Sequence, residues 1–146
     1  MGEENNSIDN PLISIIIPTY NRKEMLLQAV QSVEAQNYNE VEIIVIDDNS
    51  SDGTEKYFEN NGKLNVIYRK NNSNMGPGYS RKLGYSISSG EYIIFMDDDD
   101  YYTDFDFFSK AIKIFNENKL NRVSFVSANS EIKYEYNNSF KKDKLN

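Results

Sequence analysis

Ile13-Ser14-Ile15-Ile16-Ile17 is short, β-branched and almost wholly apolar, and similar runs recur at Val41 to Ile46, Leu64 to Tyr68 and Tyr92 to Met96. A strand with one wet face alternates apolar with polar residues. These runs do not, so they suit strands covered on both faces, as in a parallel sheet. Helical signals lie between them. Asn21-Arg22-Lys23-Glu24 reads as a capping box, with Asn21 as N-cap, after Pro18 has stopped the first strand. Leu26, Val30 and Val33 follow on one helical face. Asp52 and Glu55 form a second capping pair, before a short helix that Gly62 closes. Pro77 suits a first helical turn, and that helix is expected to run to a C-cap at Gly90. A further helix is expected over Phe105 to Phe115, then late strands at Val123 to Ala128 and Ile132 to Tyr136. Strands alternating with helices predict βαβ units: an α/β fold with a mostly parallel sheet flanked by helices. The expected organisation is a flexible segment 1–11, one domain over 12–138, and a flexible, basic tail 139–146.

The side-chain inventory narrows the chemistry. The 146 residues include no His and no Cys. Disulfide frameworks, thiol nucleophiles, His-based triads and the usual zinc sites are excluded. A metal would have to be held by oxygen, which points to Mg²⁺ or Mn²⁺. The 16 basic and 23 acidic residues give a net charge of −7, which argues against a nucleic-acid partner. No run approaches the roughly 18 apolar residues of a membrane span, and the N-terminus lacks the pattern of a signal peptide. A cytoplasmic protein is expected, with membrane contact only through segments not present in this sequence.

In a doubly wound sheet, ligands sit at the carboxyl ends of the strands. Three polar clusters fall there: Thr19-Tyr20-Asn21, Asp47-Asp48-Asn49 and Asp97 to Asp100. Acidic runs are usually solvated, or placed at a helix N-terminus. Placement directly after an apolar strand favours ligand binding here. In an extended segment Asp97 and Asp99 would share a face and could hold a hard divalent cation. Asp48 could accept an N–H from a base, or could cap its own turn. Tyr20 could stack on a base or simply pack. Arg81 could fork onto a diphosphate or form a surface ion pair. The chain has neither a Walker loop nor G-x-G-x-x-G, so a kinase or an NAD-dependent enzyme is unsupported.

Ile13 to Arg22 (ISIIIPTYNR), Ile43 to Thr54 (IIVIDDNSSDGT), Asn74 to Gly90 (NMGPGYSRKLGYSISSG) and Glu91 to Asp100 (EYIIFMDDDD) resemble, in order and spacing, the successive motifs of family 2 inverting glycosyltransferases with the GT-A fold. The resemblance implies a Rossmann-like sheet, a nucleotide-sugar donor (a UDP-sugar favoured), Mn²⁺ or Mg²⁺, and a glycan or lipid-linked acceptor in polysaccharide synthesis. It maps the D-x-D motif onto Asp97-Asp98-Asp99, with Asp99 the main metal ligand. Asp97 and Asp98 would serve the metal or the ribose. It maps base binding onto Asp48, base stacking and first-strand contacts onto Tyr20 and Pro18, and the helix-motif arginine onto Arg81.

The family's domain is usually longer than this chain, and its catalytic base is a carboxylate of the acceptor-binding half. Glu131, Glu135 and Asp143 sit in no recognisable base motif, so the catalytic residue is unassigned and a donor-binding portion is expected. Two alternatives stand beside this reading. A sugar nucleotidyltransferase would show a glycine-rich phosphate loop, and Ile17 to Arg22 contains no glycine. A non-catalytic metal- or nucleotide-binding module would share the acidic run without the transfer.

Overall fold

The computed structural model describes residues 10–62, 65–118, 131–136 and 139–144. The chain divides into two compact units, Met1–Ile112 and Lys113–Asn146. In the first unit, β1 (Ile13–Thr19), β2 (Val41–Asp47), β3 (Val66–Lys70) and β4 (Tyr92–Phe95) form one sheet in the order β3-β2-β1-β4. Every pairing is parallel, with Ile16 opposite both Ile44 and Phe95. Helices α1 (Lys23–Glu34), α2 (Thr54–Asn60) and α3 (Pro77–Ile87) fill the connections. After β3 the chain returns to the far side of β1. The strand order therefore reverses between β1 and β4, and the carboxyl ends at such a reversal are where open α/β sheets take ligands.

The unbroken apolar runs have the burial they imply. Ile15, Ile16, Ile17 and Ile43 through Ile46 are wholly buried. Ile16, Ile44 and Ile46 pack with Leu83 and Ile87 of α3. On α1, Leu26, Ala29, Val30 and Val33 are buried. α3 lies very close to β1, because a Cβ at Gly84 would come within 2.4 Å of Ile16 Cγ2.

Several local expectations differ from the structure, each because a distant residue takes over. Pro18 does not stop β1 but lies within it. Ile16 O accepts the Met96 N–H at 3.0 Å, so the even residues of β1 turn their polar groups toward β4. The register with β4 ends at Phe95, and the missing N–H of Pro18 falls beyond it. Asn21 is not the N-cap of α1. It is left-handed (φ 53°), and Arg22 holds the cap position without a side-chain bond. The Lys23 N–H donates instead to Asp52 Oδ2 at 2.8 Å, and Glu24 pairs with Lys23 rather than reaching back. Asp52 Oδ1 also accepts the Thr54 hydroxyl at 2.6 Å, so one carboxylate serves the starts of α1 and α2.

Asn61, not Gly62, is the C-cap of α2. α3 ends at Ile87 with Ser88 as C-cap. Gly90 has another use: a Cβ there would lie 2.4 Å from Ser14 Oγ and 2.6 Å from Ser14 N. α4 spans Phe107–Glu117, and in the second unit β5 (Glu131–Tyr136) pairs antiparallel with β6 (Ser139–Lys144), where the sequence suggests a tail. The expected strand at Val123 to Ala128 lies outside the described residues, as does most of the segment expected at 1–11.

Gly84→Ala should therefore destabilise the fold by about 1–3 kcal/mol, the range for overpacking a close contact. Thermal melting checks this, and an unchanged midpoint would show that α3 can lift off β1 freely.

Candidate functional site

Most of the buried polar residues of the first unit follow the sheet's carboxyl ends: Thr19, Asp47, Asp48, Ser50, Asn71, Ser80 and Asp98. Asp47 is the structural member of its pair. Its carboxylate is wholly buried, accepting the Ser50 N–H at 2.7 Å and the Tyr68 hydroxyl at 2.5 Å. Burial first, then that bond to Asp47, pushes the Tyr68 pKa upward.

Asp48 extends the ladder by one step, donating its N–H to Thr19 O at 2.8 Å. Its carboxylate is 4% exposed and reaches into the loop that leads to α3. Oδ1 accepts from Asn71 Nδ2 and the Met75 N–H, both at 2.8 Å, and Oδ2 accepts the Gly76 N–H at 2.7 Å. Burial raises the pKa of this group. The Met75, Asn71 and Gly76 donors together outweigh burial and hold it below the usual carboxylate value. Gly76 is left-handed (φ 84°), the conformation that turns its N–H onto Asp48 at the entry to α3. Met75, whose N–H bonds this carboxylate, and Tyr20, which follows the Thr19 carbonyl that accepts the Asp48 N–H, are both half-exposed, and Pro18 is buried in β1.

The acidic run does not continue the strand. β4 ends at Phe95, Asp98-Asp99 form a turn, and the Asp100 N–H donates to Asp97 O at 3.1 Å. The alternation argument for Asp97 and Asp99 therefore does not apply. The four carboxylates diverge in environment. Asp98 is 5% exposed, accepting the Thr19 hydroxyl at 2.8 Å and Arg22 Nη1 at 3.1 Å. Asp99 shares that same nitrogen at 3.2 Å. Asp97 pairs with Arg81 of α3. The Asp100 pKa is raised, by lost solvation first and then by the charges of Asp97 and Asp99.

The end of α1 pins the chain that follows. Ser32 Oγ accepts the Tyr102 N–H at 3.0 Å. The buried Gln36 donates to Asp104 O at 2.7 Å and accepts the Phe108 N–H at 3.3 Å. Burial, then the charge of Asp100, pushes the Tyr102 pKa up to about 12.

The structure thus brings Pro18, Tyr20, Asp48, Arg81, Asp97, Asp98 and Asp99 to one edge of the sheet, as the motifs imply. Sequence reading missed Arg22, Asn71 and Gln36. Arg22 lies inside a quoted motif, but its carboxylate partners are 76 and 77 residues away. Among the described residues, no three acidic groups converge as a metal cluster. No helix among them is long and apolar enough to cross a membrane.

Asp48 gives the site a pH signature. A carboxylate whose folded pKa is lowered stabilises the fold above its unfolded pKa, about 3.9. That contribution is lost as pH falls through the folded value. Asp48→Asn faces amide hydrogens against backbone N–H groups and should cost about 1–3 kcal/mol at pH 7. Its melting temperature should also fall less steeply on acidification than the wild type's. An equal acid slope in the two proteins would show that Asp48 carries no such linkage.

The sequence model of the family described as Glycosyl transferase family 2 matches residues 14–144. A Campylobacter jejuni GalNAc(5)-diNAcBac-PP-undecaprenol beta-1,3-glucosyltransferase is 39% identical over 93 residues, 62% of this chain and 30% of that enzyme. The Escherichia coli UDP-Glc:alpha-D-GlcNAc-diphosphoundecaprenol beta-1,3-glucosyltransferase WfaP is 38% identical over 91 residues, 62% of this chain and 36% of that enzyme. The crystal structure of S. aureus TarS 1-349 in complex with UDP-GlcNAc superposes with a TM-score of 0.68 at 30% identity, covering 74% of this chain and 32% of that one. The chain therefore spans about a third of the length of these relatives. With its parallel sheet, its ordered motifs and this likeness, the chain belongs to glycosyl transferase family 2 and has the Rossmann-like GT-A fold.

Proposed function

We propose that this chain binds the donor of an inverting sugar transfer. The donor is a nucleoside-diphosphate sugar, a UDP-sugar by preference, and the acceptor a hydroxyl of a glycan or lipid-linked glycan in cell-surface polysaccharide synthesis. One observation carries the reading: Asp48, the Asp97–Asp99 turn and the two arginines meet at the carboxyl edge, beside the strand-order reversal. The C. jejuni and E. coli relatives are named as glucosyltransferases of undecaprenyl-diphosphate-linked acceptors, and TarS is seen with UDP-GlcNAc.

Each residue has a task in this scheme. An ionised carboxylate offers about four acceptor positions. Asp48 uses three on Asn71, Met75 and Gly76, which leaves one for an imide N–H such as uracil's. Tyr20 supplies an exposed ring for the base, and Pro18 shapes the strand end below it. Arg81 is suited to the diphosphate by its planar fork. Asp98, already fixed by Thr19, serves the ribose together with Asp97.

The donor set also fits a divalent cation. Asp97 and Asp99 offer hard carboxylate oxygens, and their side chains are 57% and 51% exposed. They would hold Mn²⁺ or Mg²⁺, whose chemistry when bound is neutralisation of charge on the departing diphosphate. Asp48 and Asp98 are both buried and held by hydrogen bonds from neighbouring loops, so neither is offered as the base that deprotonates the acceptor. Donor binding is the function assigned to this chain.

Calorimetric titration of UDP into the chain tests this. Binding should appear with Mn²⁺, vanish in EDTA and weaken at least tenfold in Asp99→Ala, the scale of one lost charge-assisted contact. Binding indifferent to EDTA and to the substitution, or absent from the folded chain for UDP, GDP, CDP and dTDP alike, would overturn the reading.

A further inference from the structure

We infer that Arg22 is a built-in occupant of the cation position: its guanidinium holds Asp99 until a metal and a diphosphate arrive together. The inference rests on the donor-site reading above and extends it to a residue that reading leaves without a role. A single nitrogen, Arg22 Nη1, lies 3.1 Å from Asp98 Oδ1 and 3.2 Å from Asp99 Oδ2. It bridges the two carboxylates, as a small cation would. Asp97 is taken by Arg81, so four neighbouring negative charges are met by two guanidinium groups.

A divalent cation on Asp99 meets a positive nitrogen 3.2 Å from Oδ2, and like charges at such range repel. Cation binding therefore favours withdrawal of the guanidinium. The group is free to withdraw, because the Arg22 side chain is 52% exposed. Its backbone is fixed, since Arg22 O accepts the Leu26 N–H at 2.9 Å and the next N–H is held by Asp52. Asp98 keeps its place without Arg22, because the buried Thr19 hydroxyl still donates to it at 2.8 Å. The displaced guanidinium is left beside the site with no carboxylate of its own. An incoming diphosphate supplies the oxygens it has lost.

Two consequences follow. A metal alone has to evict Arg22 without compensation, so it binds weakly. A metal with a diphosphate binds cooperatively, because the second ligand satisfies the arginine that the first displaced. Arg22 is thus a positioning residue that makes the site answer to the metal–diphosphate pair rather than to the free ion.

Titration of the chain with Mn²⁺, followed by the electron paramagnetic resonance signal of the free ion with and without UDP, tests this. In the wild type, UDP should raise Mn²⁺ affinity by about tenfold or more. In Arg22→Gln, Mn²⁺ alone should bind about tenfold tighter than in the wild type, and the enhancement by UDP should shrink toward about twofold. Arg22→Lys, which keeps the charge, should stay near the wild type, and covers the case in which the glutamine variant does not fold. Lys110→Gln, which removes a positive charge paired with Asp104, should change neither quantity.

Tighter Mn²⁺ binding in Arg22→Gln alone, with the lost enhancement, supports the inference. Unchanged or weaker Mn²⁺ binding in that variant overturns it, provided that Asp99→Ala abolishes binding, and leaves the donor-site reading standing. Equal shifts in the Arg22 and Lys110 variants overturn it in favour of long-range charge. Mn²⁺ binding that survives Asp99→Ala overturns both the inference and the assignment of the metal to this turn.

Discussion

Asp98 lies buried in the turn after β4, with the Thr19 hydroxyl at 2.8 Å and Arg22 Nη1 at 3.1 Å. A carboxylate out of water is costly unless it is hydrogen-bonded and paired, so these contacts are a condition of the fold. They join the loop after β4 to the loop after β1, although 79 residues separate Thr19 from Asp98. Asp48 does the same for a second pair of loops, joining the end of β2 to the turn that starts α3. The parallel register places both carboxylates at one edge, and their hydrogen bonds keep the loops there. The carboxyl edge is therefore fixed by buried charge, while the core beneath it is fixed by isoleucine.

The core was legible because its signal is local. Runs such as Ile13 to Ile17 and Val41 to Ile46 can hardly be other than doubly covered strands, and the α1 face of Leu26, Val30 and Val33 reads from spacing alone. What sequence reading missed was set by long-range partners. The α1 cap comes from Asp52, 29 residues from Lys23. Pro18 stays within β1 because β4 pairs only as far as Phe95, which no property of Pro18 reveals. Gly90 reads as a helix cap by type, yet it is required by its approach to Ser14.

The site divides in the same way. The motifs brought Tyr20, Asp48, Arg81 and the acidic run to notice, and the topology sets them on one edge. The partners of each carboxylate were not readable. Asp97 and Asp99 would share a face only in a strand, and the chain turns at Asp98-Asp99 instead. Arg22 looked like part of a helix start, but its side chain reaches the turn after β4. A position that neutralises Asp98 and Asp99 in the ligand-free chain is also a position from which an arginine can follow the charge of an incoming diphosphate.

The central claim is that this carboxyl edge is a metal-assisted donor site. Paramagnetic broadening of the backbone amide resonances by substoichiometric Mn²⁺ in the presence of UDP locates the ion directly. The account requires broadening centred on Asp97 to Asp100, extending to Thr19 to Arg22 and to the start of α3. Broadening centred elsewhere, with these amides sharp, would contradict it.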